Sequence, residues 1–163
     1  MAKPKLFSYR SRSSFTTVTW RFCESTDIDP AIKQKVDGKL QAHTPLEVFE
    51  SFRFMFDGQV RERFIVLWLS AHNKVQGFEV VSEGILNASL VHPREVFRGA
   101  IVASAHSIIL IHNHPSGNPE PSMEDKTITR QIGATGKVIG VPVYDHIIFA
   151  GNEYTSFAER GLL

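Results

Sequence analysis

The sequence has little of several features that would assign a protein to a class. It contains one cysteine, Cys23, so an internal disulfide is excluded and no pair of thiolates is available to bind a metal. No apolar run reaches the roughly 18 residues that a membrane-spanning helix needs. The amino-terminal residues also lack the apolar segment of a secretory signal. The sequence therefore predicts a soluble protein of the cytoplasm.

A large excess of charge of either sign is also missing. The chain has 18 basic and 17 acidic residues, for a formal net charge of +1, so the general electrostatic footprint of a nucleic-acid-binding protein is absent. With 163 residues, 42% of them hydrophobic and 21% charged, the composition favours one compact domain over disorder. We therefore expect a flexible, locally basic leader over residues 1–14 and a single domain over residues 15–163.

Strand and helix patterns alternate along the chain, without internal repeats. This alternation is typical of an α/β layer architecture, and the turn at Asn73 predicts an antiparallel hairpin, so we expect a mixed sheet. A short helix or turn is expected over residues 25–38. The predicted strands cover residues 15–22, 63–71, 75–84, 107–114 and 141–151, and the predicted helices cover residues 44–56, 92–105 and 122–140.

The predicted helices carry recognisable signals for their ends and buried faces. Thr44 is expected to cap the first helix, with Pro45 at the first helical position. The third helix is expected to break at glycines near its end. Apolar residues at helical spacing predict the buried faces of the first helix (Leu46, Phe49, Phe52 and Phe56) and of the second (Val96, Phe97, Ala100 and Ile101).

The stretch HNHPSGNPEPSMED, residues 112–125, carries the most chemistry. Side chains two apart on a strand share a face, so His112 and His114 can reach one ion while Asn113 points the other way. A Pro/Gly/Ser loop turns the chain back, and Asp125 in the first turn of the next helix can return a carboxylate. Two histidines and a carboxylate leave a fourth position for water, as in catalytic zinc sites.

A purely structural interpretation of the same residues is also open. Ser122 and Asp125 have the spacing of a capping box at a helix start. A buried histidine at a strand end is commonly just a hydrogen-bonded polar residue. Spacing alone leaves the metal site and the structural interpretation both open.

The whole pattern His-x-His-x7-Ser-x2-Asp resembles the JAMM metal-binding motif, and more closely the RadC-type branch of that JAB/MPN family. The stretches VSEGILNASLVHPREVF, IILIHNHPSG, PSMED and DHIIFAGNEYTSFAERGLL resemble blocks of that branch in the same order, over about residues 44–163. The resemblance implies a three-layer α/β/α sandwich around a mixed sheet, similar to cytidine deaminases. It also implies zinc-dependent hydrolysis of peptide or isopeptide bonds, with a peptide or protein as substrate.

The resemblance also implies roles for individual residues. His112, His114 and Asp125 would hold one Zn²⁺ per chain, and Ser122 would donate a hydrogen bond to the oxyanion. The family places its general base, a glutamate, just before a buried strand, and Glu62 stands in that position. Two other glutamates compete for this role. Glu83 is explained as a solvated residue in a turn, and Glu95 as a member of an ion pair in a helix.

Four further residues have a functional and a structural interpretation each. His92 and Arg94 could line the substrate cleft, or provide a helix cap and a surface charge. Asp145 and His146 could orient a ligand from behind, or form a buried structural pair.

Two other functions compete with hydrolysis. A nucleic-acid-processing or repair role is supported only by the basic leader, and nothing in the sequence resembles the helix-hairpin-helix domain that longer RadC-type proteins carry. A non-catalytic interaction module would be expected to have lost a ligand, whereas every motif position is chemically competent here.

Overall fold

The structure, a computed structural model, describes residues 7–10, 15–18, 40–84 and 91–163. The chain divides into two compact units, Met1–Lys35 and Val36–Leu163. In the first unit, β1 (Phe7–Arg10) pairs antiparallel with β2 (Phe15–Val18). Part of the expected flexible leader is therefore a strand, and the strand predicted over 15–22 is confirmed as far as Val18. Residues 19–39, with Cys23 and the predicted element over 25–38, lie outside the described residues.

The second unit follows the predicted alternation closely. Its helices are α1 (Pro45–Phe52), continued by a 3₁₀ turn (Arg53–Phe56), α2 (Pro93–Val102) and α3 (Met123–Ile139). Its strands are β3 (Glu62–Leu69), β4 (Val75–Gly84), β5 (Ser107–Asn113), β6 (Val143–Ala150) and β7 (Glu153–Ser156).

The five strands form one mixed sheet in the order β4-β3-β5-β6-β7. Strands β5 and β6 run parallel, joined through α3, and the other neighbours are antiparallel, including the predicted β3–β4 hairpin. Strand β5 lies at the centre of the sheet and is buried along its whole length. Polar side chains at its carboxyl end are therefore held by rigid neighbours on both sides.

Helices cover both faces of this sheet, which confirms the three-layer α/β/α class. Phe49 and Phe52 of α1 pack on one face, against alternate residues of β3, β5 and β6 such as Ile65. Helices α2 and α3 pack on the other face, where Phe64 and Leu110 are fully buried. Successive strand residues point to opposite faces, so each strand contributes to both cores.

Two details of the predicted faces are wrong. Leu46 is 49% exposed and Ile101 is 58% exposed, because each lies roughly 100° around its helix from the centre of the buried stripe.

Helix α3 does not break at its internal glycines but runs to Gly140, whose left-handed φ of 76° ends it. Among the described residues, we find no helix with both the length and the apolar character needed to cross a bilayer.

Candidate metal centre

The end of β5 brings two imidazoles together, as the strand period predicted. The Nε2 atoms of His112 and His114 lie 3.0 Å apart. His112 is fully buried, whereas 12% of the His114 side chain is exposed. The pair therefore opens to solvent on the His114 side only.

The loop after β5 returns a carboxylate to the same point. Gly117, with a left-handed φ of 76°, donates its N–H to the carbonyl oxygen of His114 at 3.0 Å and closes the turn. The chain then enters α3, and Asp125 in its first turn is 1% exposed. Its Oδ1 lies 3.1 Å from His112 Nε2 and its Oδ2 lies 3.4 Å from His114 Nε2.

The capping box is present in addition to this cluster. Ser122 Oγ accepts the backbone N–H of Asp125 at 3.0 Å, and Asp125 Oδ2 accepts the backbone N–H and the hydroxyl of Ser122, both at 2.7 Å. The helix start therefore fixes the carboxylate that faces the two histidines. The structural and the metal-site interpretations of the same residues are compatible.

Taken together, these side chains form a group that could bind one metal ion. The ligand atoms of His112, His114 and Asp125 all lie within 4.8 Å of one another. Both histidines use Nδ1 for other hydrogen bonds, His112 with His146 and His114 with the carbonyl oxygen of Asn118 at 2.7 Å. The Nε2 atoms are therefore the nitrogens left to face the carboxylate.

The acidic and basic groups of the cluster stabilise one another's charged forms and so shift their pKa values. Burial alone would raise the pKa of Asp125, but hydrogen bonds from His112 and His114 outweigh it and hold the pKa well below its ordinary value. The hydrogen bond to Asp125 raises the pKa of His114 against the effect of burial, and the negative charge of Glu62 raises it further. Asp125 is therefore ionised at neutral pH, as a metal ligand must be, and Glu62 lies near enough for its charge to act on His114.

The register of the sheet explains why Glu62 is near the cluster. Strands β3 and β5 are antiparallel with Phe64 opposite His112, so the start of β3 lies beside the end of β5. Alternation along β3 puts Glu62 on the same face as Phe64 and His112. The register therefore places Glu62 on the face of the sheet that carries the cluster.

Asn113 holds this end of β3 in place. Its Oδ1 accepts the backbone N–H of Arg63 at 2.7 Å, and its Nδ2 donates to the carbonyl oxygen of Arg61 at 3.1 Å. One side chain thus fixes the backbone on both sides of Glu62. The sequence predicted no role for Asn113, whose only signal was its position between two histidines.

Asp145 and His146 lie on opposite faces of β6, so their side chains point away from each other. His146 is fully buried behind the cluster, where its Nε2 lies 2.8 Å from His112 Nδ1. Burial and the neighbouring His112 keep the pKa of His146 well below its ordinary value. Asp145 instead accepts hydrogen bonds from the backbone N–H groups of His146 and Ala158 and from the Ser156 hydroxyl.

Of the remaining candidates, His92, Arg94 and Glu95 have the structural roles considered for them, whereas Glu83 lies in strand β4 and not in a turn. His92 is exposed and caps α2, with its Nδ1 accepting the Arg94 N–H at 3.2 Å. Arg94 is exposed and pairs with Glu95 at 3.2 Å. Glu83 pairs with Arg63 at 3.2 Å, and its side chain is 47% exposed. None of the hydrogen bonds or ion pairs recorded for the described residues joins these groups to the cluster.

The residues of this cluster lie within a region that matches a known protein family. The family model of the RadC-like JAB domain matches residues 42–162. A UPF0758 protein of Symbiobacterium thermophilum is 59% identical over 102 residues, which are 63% of this chain and 44% of that protein. A UPF0758 protein of Desulfitobacterium hafniense is 43% identical over 140 residues, 85% of this chain and 59% of that protein. The chain spans about half the length of the curated relatives it matches.

Proposed function

Because the chain belongs to the RadC-like JAB domain family, we propose that it is a zinc-dependent hydrolase that cleaves an amide bond in a peptide or protein. The observation that carries the proposal is the convergence of His112 Nε2, His114 Nε2 and the Asp125 carboxylate at the end of the central strand. Two imidazoles and one carboxylate are the protein ligands of many catalytic zinc sites, which keep a position open for water. One such group implies one ion per chain.

The donor set and its surroundings fit a divalent ion. Two neutral imidazole nitrogens and one carboxylate oxygen suit zinc, although other divalent ions accept the same set. When bound, the ion would lower the pKa of a bound water towards about 7 and polarise a substrate carbonyl. The partly exposed His114 marks the side from which water and substrate would reach these ligands.

Glu62 is proposed as the general base. It lies at the start of β3 on the face of the cluster, partly exposed, and its charge acts on His114. In the proposed mechanism its carboxylate accepts a proton from the attacking water and returns it to the leaving amine as the C–N bond breaks. Asn113 keeps the backbone on both sides of Glu62 fixed while these transfers occur.

Ser122 is proposed to donate a hydrogen bond to the oxyanion that develops on the substrate carbonyl. Ser122 is exposed beside the buried Asp125, and its hydroxyl donates to Asp125 Oδ2 at 2.7 Å. That hydroxyl has one proton, so it would turn from the carboxylate to the substrate during the reaction, while its lone pair continues to accept the Asp125 N–H.

The first experiment measures metal content and turnover together. Mass spectrometry of the protein purified without added zinc is expected to find about one ion per chain. Glu62→Gln should keep that ion and lose hydrolysis of peptides that the unaltered protein cleaves. Full activity in Glu62→Gln would reject the assignment of the base.

Glu83→Gln is the matched control, since Glu83 lies on the neighbouring strand and is paired with Arg63 away from the ligands. It should leave turnover unchanged. A protein that binds no metal even after zinc is added would point instead to an interaction module. Metal binding without cleavage of any peptide, together with salt-dependent binding to DNA, would favour the nucleic-acid role.

A further inference from the structure

A hydrogen-bonded chain leads from the metal centre into the core. His112 Nδ1 lies 2.8 Å from His146 Nε2, His146 Nδ1 lies 2.5 Å from Thr129 Oγ1, and Thr129 Oγ1 lies 2.6 Å from the carbonyl oxygen of Asp125. All of these side chains are at most 2% exposed. The chain begins at one metal ligand and ends at the backbone of another.

The last contact fixes the position of each proton in the chain. A carbonyl oxygen can only accept, so the Thr129 hydroxyl must donate to Asp125, since two lone pairs at 2.6 Å would repel each other. Having one proton, that hydroxyl can only accept from His146, whose Nδ1 therefore carries a hydrogen. With its one ring proton on Nδ1, His146 accepts at Nε2, so Nδ1 of His112 is the donor.

We propose that Thr129 and His146 are positioning residues that keep a proton on Nδ1 of His112, so that its Nε2 lone pair is directed at the metal. The inference rests on the metal site of the proposed function. Without the Thr129 hydroxyl, His146 has no acceptor for its Nδ1 proton and can carry it on Nε2 instead. His146 would then donate to His112 Nδ1, and the remaining proton of His112 would face the metal.

The second histidine ligand shows why this arrangement depends on Thr129. His114 Nδ1 faces the carbonyl oxygen of Asn118 at 2.7 Å, an acceptor that cannot change its role. His146 can either donate or accept at Nε2, so it orients His112 only while its other nitrogen is fixed. Thr129 supplies that fixed partner by forming a hydrogen bond to its own helix.

The test compares three variants by zinc affinity, measured in the full chain by competition with a chelator. Thr129→Val keeps the shape of the side chain and removes the hydroxyl, and it should weaken zinc binding about 10- to 100-fold, as loss of outer-sphere partners does elsewhere. Thr129→Ser should restore most of the affinity. Thr135→Val should have no effect. Thr135 forms the same hydrogen bond to its helix, to the Gln131 carbonyl oxygen at 2.9 Å, and has no recorded hydrogen bond to a histidine within the described part of the chain.

Nuclear magnetic resonance gives an answer that does not depend on hydrolysis. Long-range ¹H–¹⁵N spectra of the zinc-free protein should show a proton on Nδ1 of both His112 and His146, whether or not His112 Nε2 also carries a proton towards Asp125 Oδ1. Thr129→Val should move the His146 proton to Nε2. Unchanged zinc affinity in Thr129→Val, or an unprotonated His112 Nδ1 in the unaltered protein, would overturn the inference. If the expected spectra and affinities appear but no peptide is cleaved, the inference stands and the proposed hydrolase fails.

Discussion

Replacing Ser122 by alanine separates a helix cap from a metal-centre role. The substitution removes the acceptor for the Asp125 N–H, which costs about 1 kcal/mol in comparable caps. It also removes the hydroxyl donor to the ionised Asp125 carboxylate, and hydrogen bonds to charged groups contribute about 1.5–3 kcal/mol. Because Ser122 is exposed and Asp125 keeps other donors, the lower end applies. We expect the free energy of unfolding of the zinc-free protein to fall by about 2–3 kcal/mol.

Thr44→Ala is the matched control for the cap alone. Thr44 Oγ1 accepts the Glu47 N–H at 3.2 Å in a capping box of the same form, on α1 and without a metal ligand. Its loss should cost about 1 kcal/mol. Urea denaturation of both variants, followed by circular dichroism, measures the difference. If Ser122→Ala costs no more than Thr44→Ala, the Ser122 hydroxyl does not hold Asp125 in place.

The same variant tests the oxyanion role in the zinc-loaded protein. Removing an oxyanion donor lowers kcat by about 10²–10³-fold in other hydrolases. We expect a loss of that order in Ser122→Ala, together with little change in KM. A kcat within a few-fold of the unaltered protein would refute the oxyanion role and leave Ser122 as a cap.

Two further predictions concern residues around the centre. Asn113→Leu should lower the free energy of unfolding by about 2 kcal/mol, since it leaves the Arg63 N–H and the Arg61 carbonyl without this partner. Hydrogen exchange of the Arg63 amide should become faster, and an unchanged exchange rate would contradict the prediction. Burial raises the pKa of Asp145 in the folded protein despite its hydrogen bonds. The folded state therefore holds the proton more tightly than the unfolded chain. This contribution to the free energy of unfolding is present below the ordinary carboxyl pKa and is lost as pH rises through the raised pKa of the folded state. Asp145→Asn should therefore gain stability relative to the unaltered protein as pH rises above the ordinary carboxyl pKa in thermal unfolding, and a constant difference would contradict this.

The fold could be predicted largely from local signals because those signals coincide with the tertiary structure. Thr44 and Ser122 cap the helices that their sequence patterns predicted, and the apolar run of β3 is buried as expected. The errors at Leu46 and Ile101 have one cause. Helical spacing gives the angle between residues but not which direction meets the sheet, so the edge of a stripe cannot be assigned from one chain.

The group that could bind a metal could be predicted because its geometry is local. The two-residue period of a strand aligns His112 with His114, and a short loop before a capped helix returns Asp125. Thr129 and Asn113 could not be predicted in the same way. Their partners, His146 and the backbone around Glu62, lie on other strands, so the contacts depend on the register of the sheet and on the packing of α3.

The centre lies where two neighbouring strands stop pairing. The backbone ladder between β3 and β5 ends at Phe64 and His112, and beyond it His114 donates its N–H to Phe149 of β6 instead. Beyond the ladder, the side chain of Asn113 forms hydrogen bonds to the backbone on either side of Glu62. The start of β3 and the end of β5 thus stay rigid without a continuous ladder between them. An enzyme of the proposed kind needs this combination, because its base and its metal must be held at fixed positions while water and substrate enter between them.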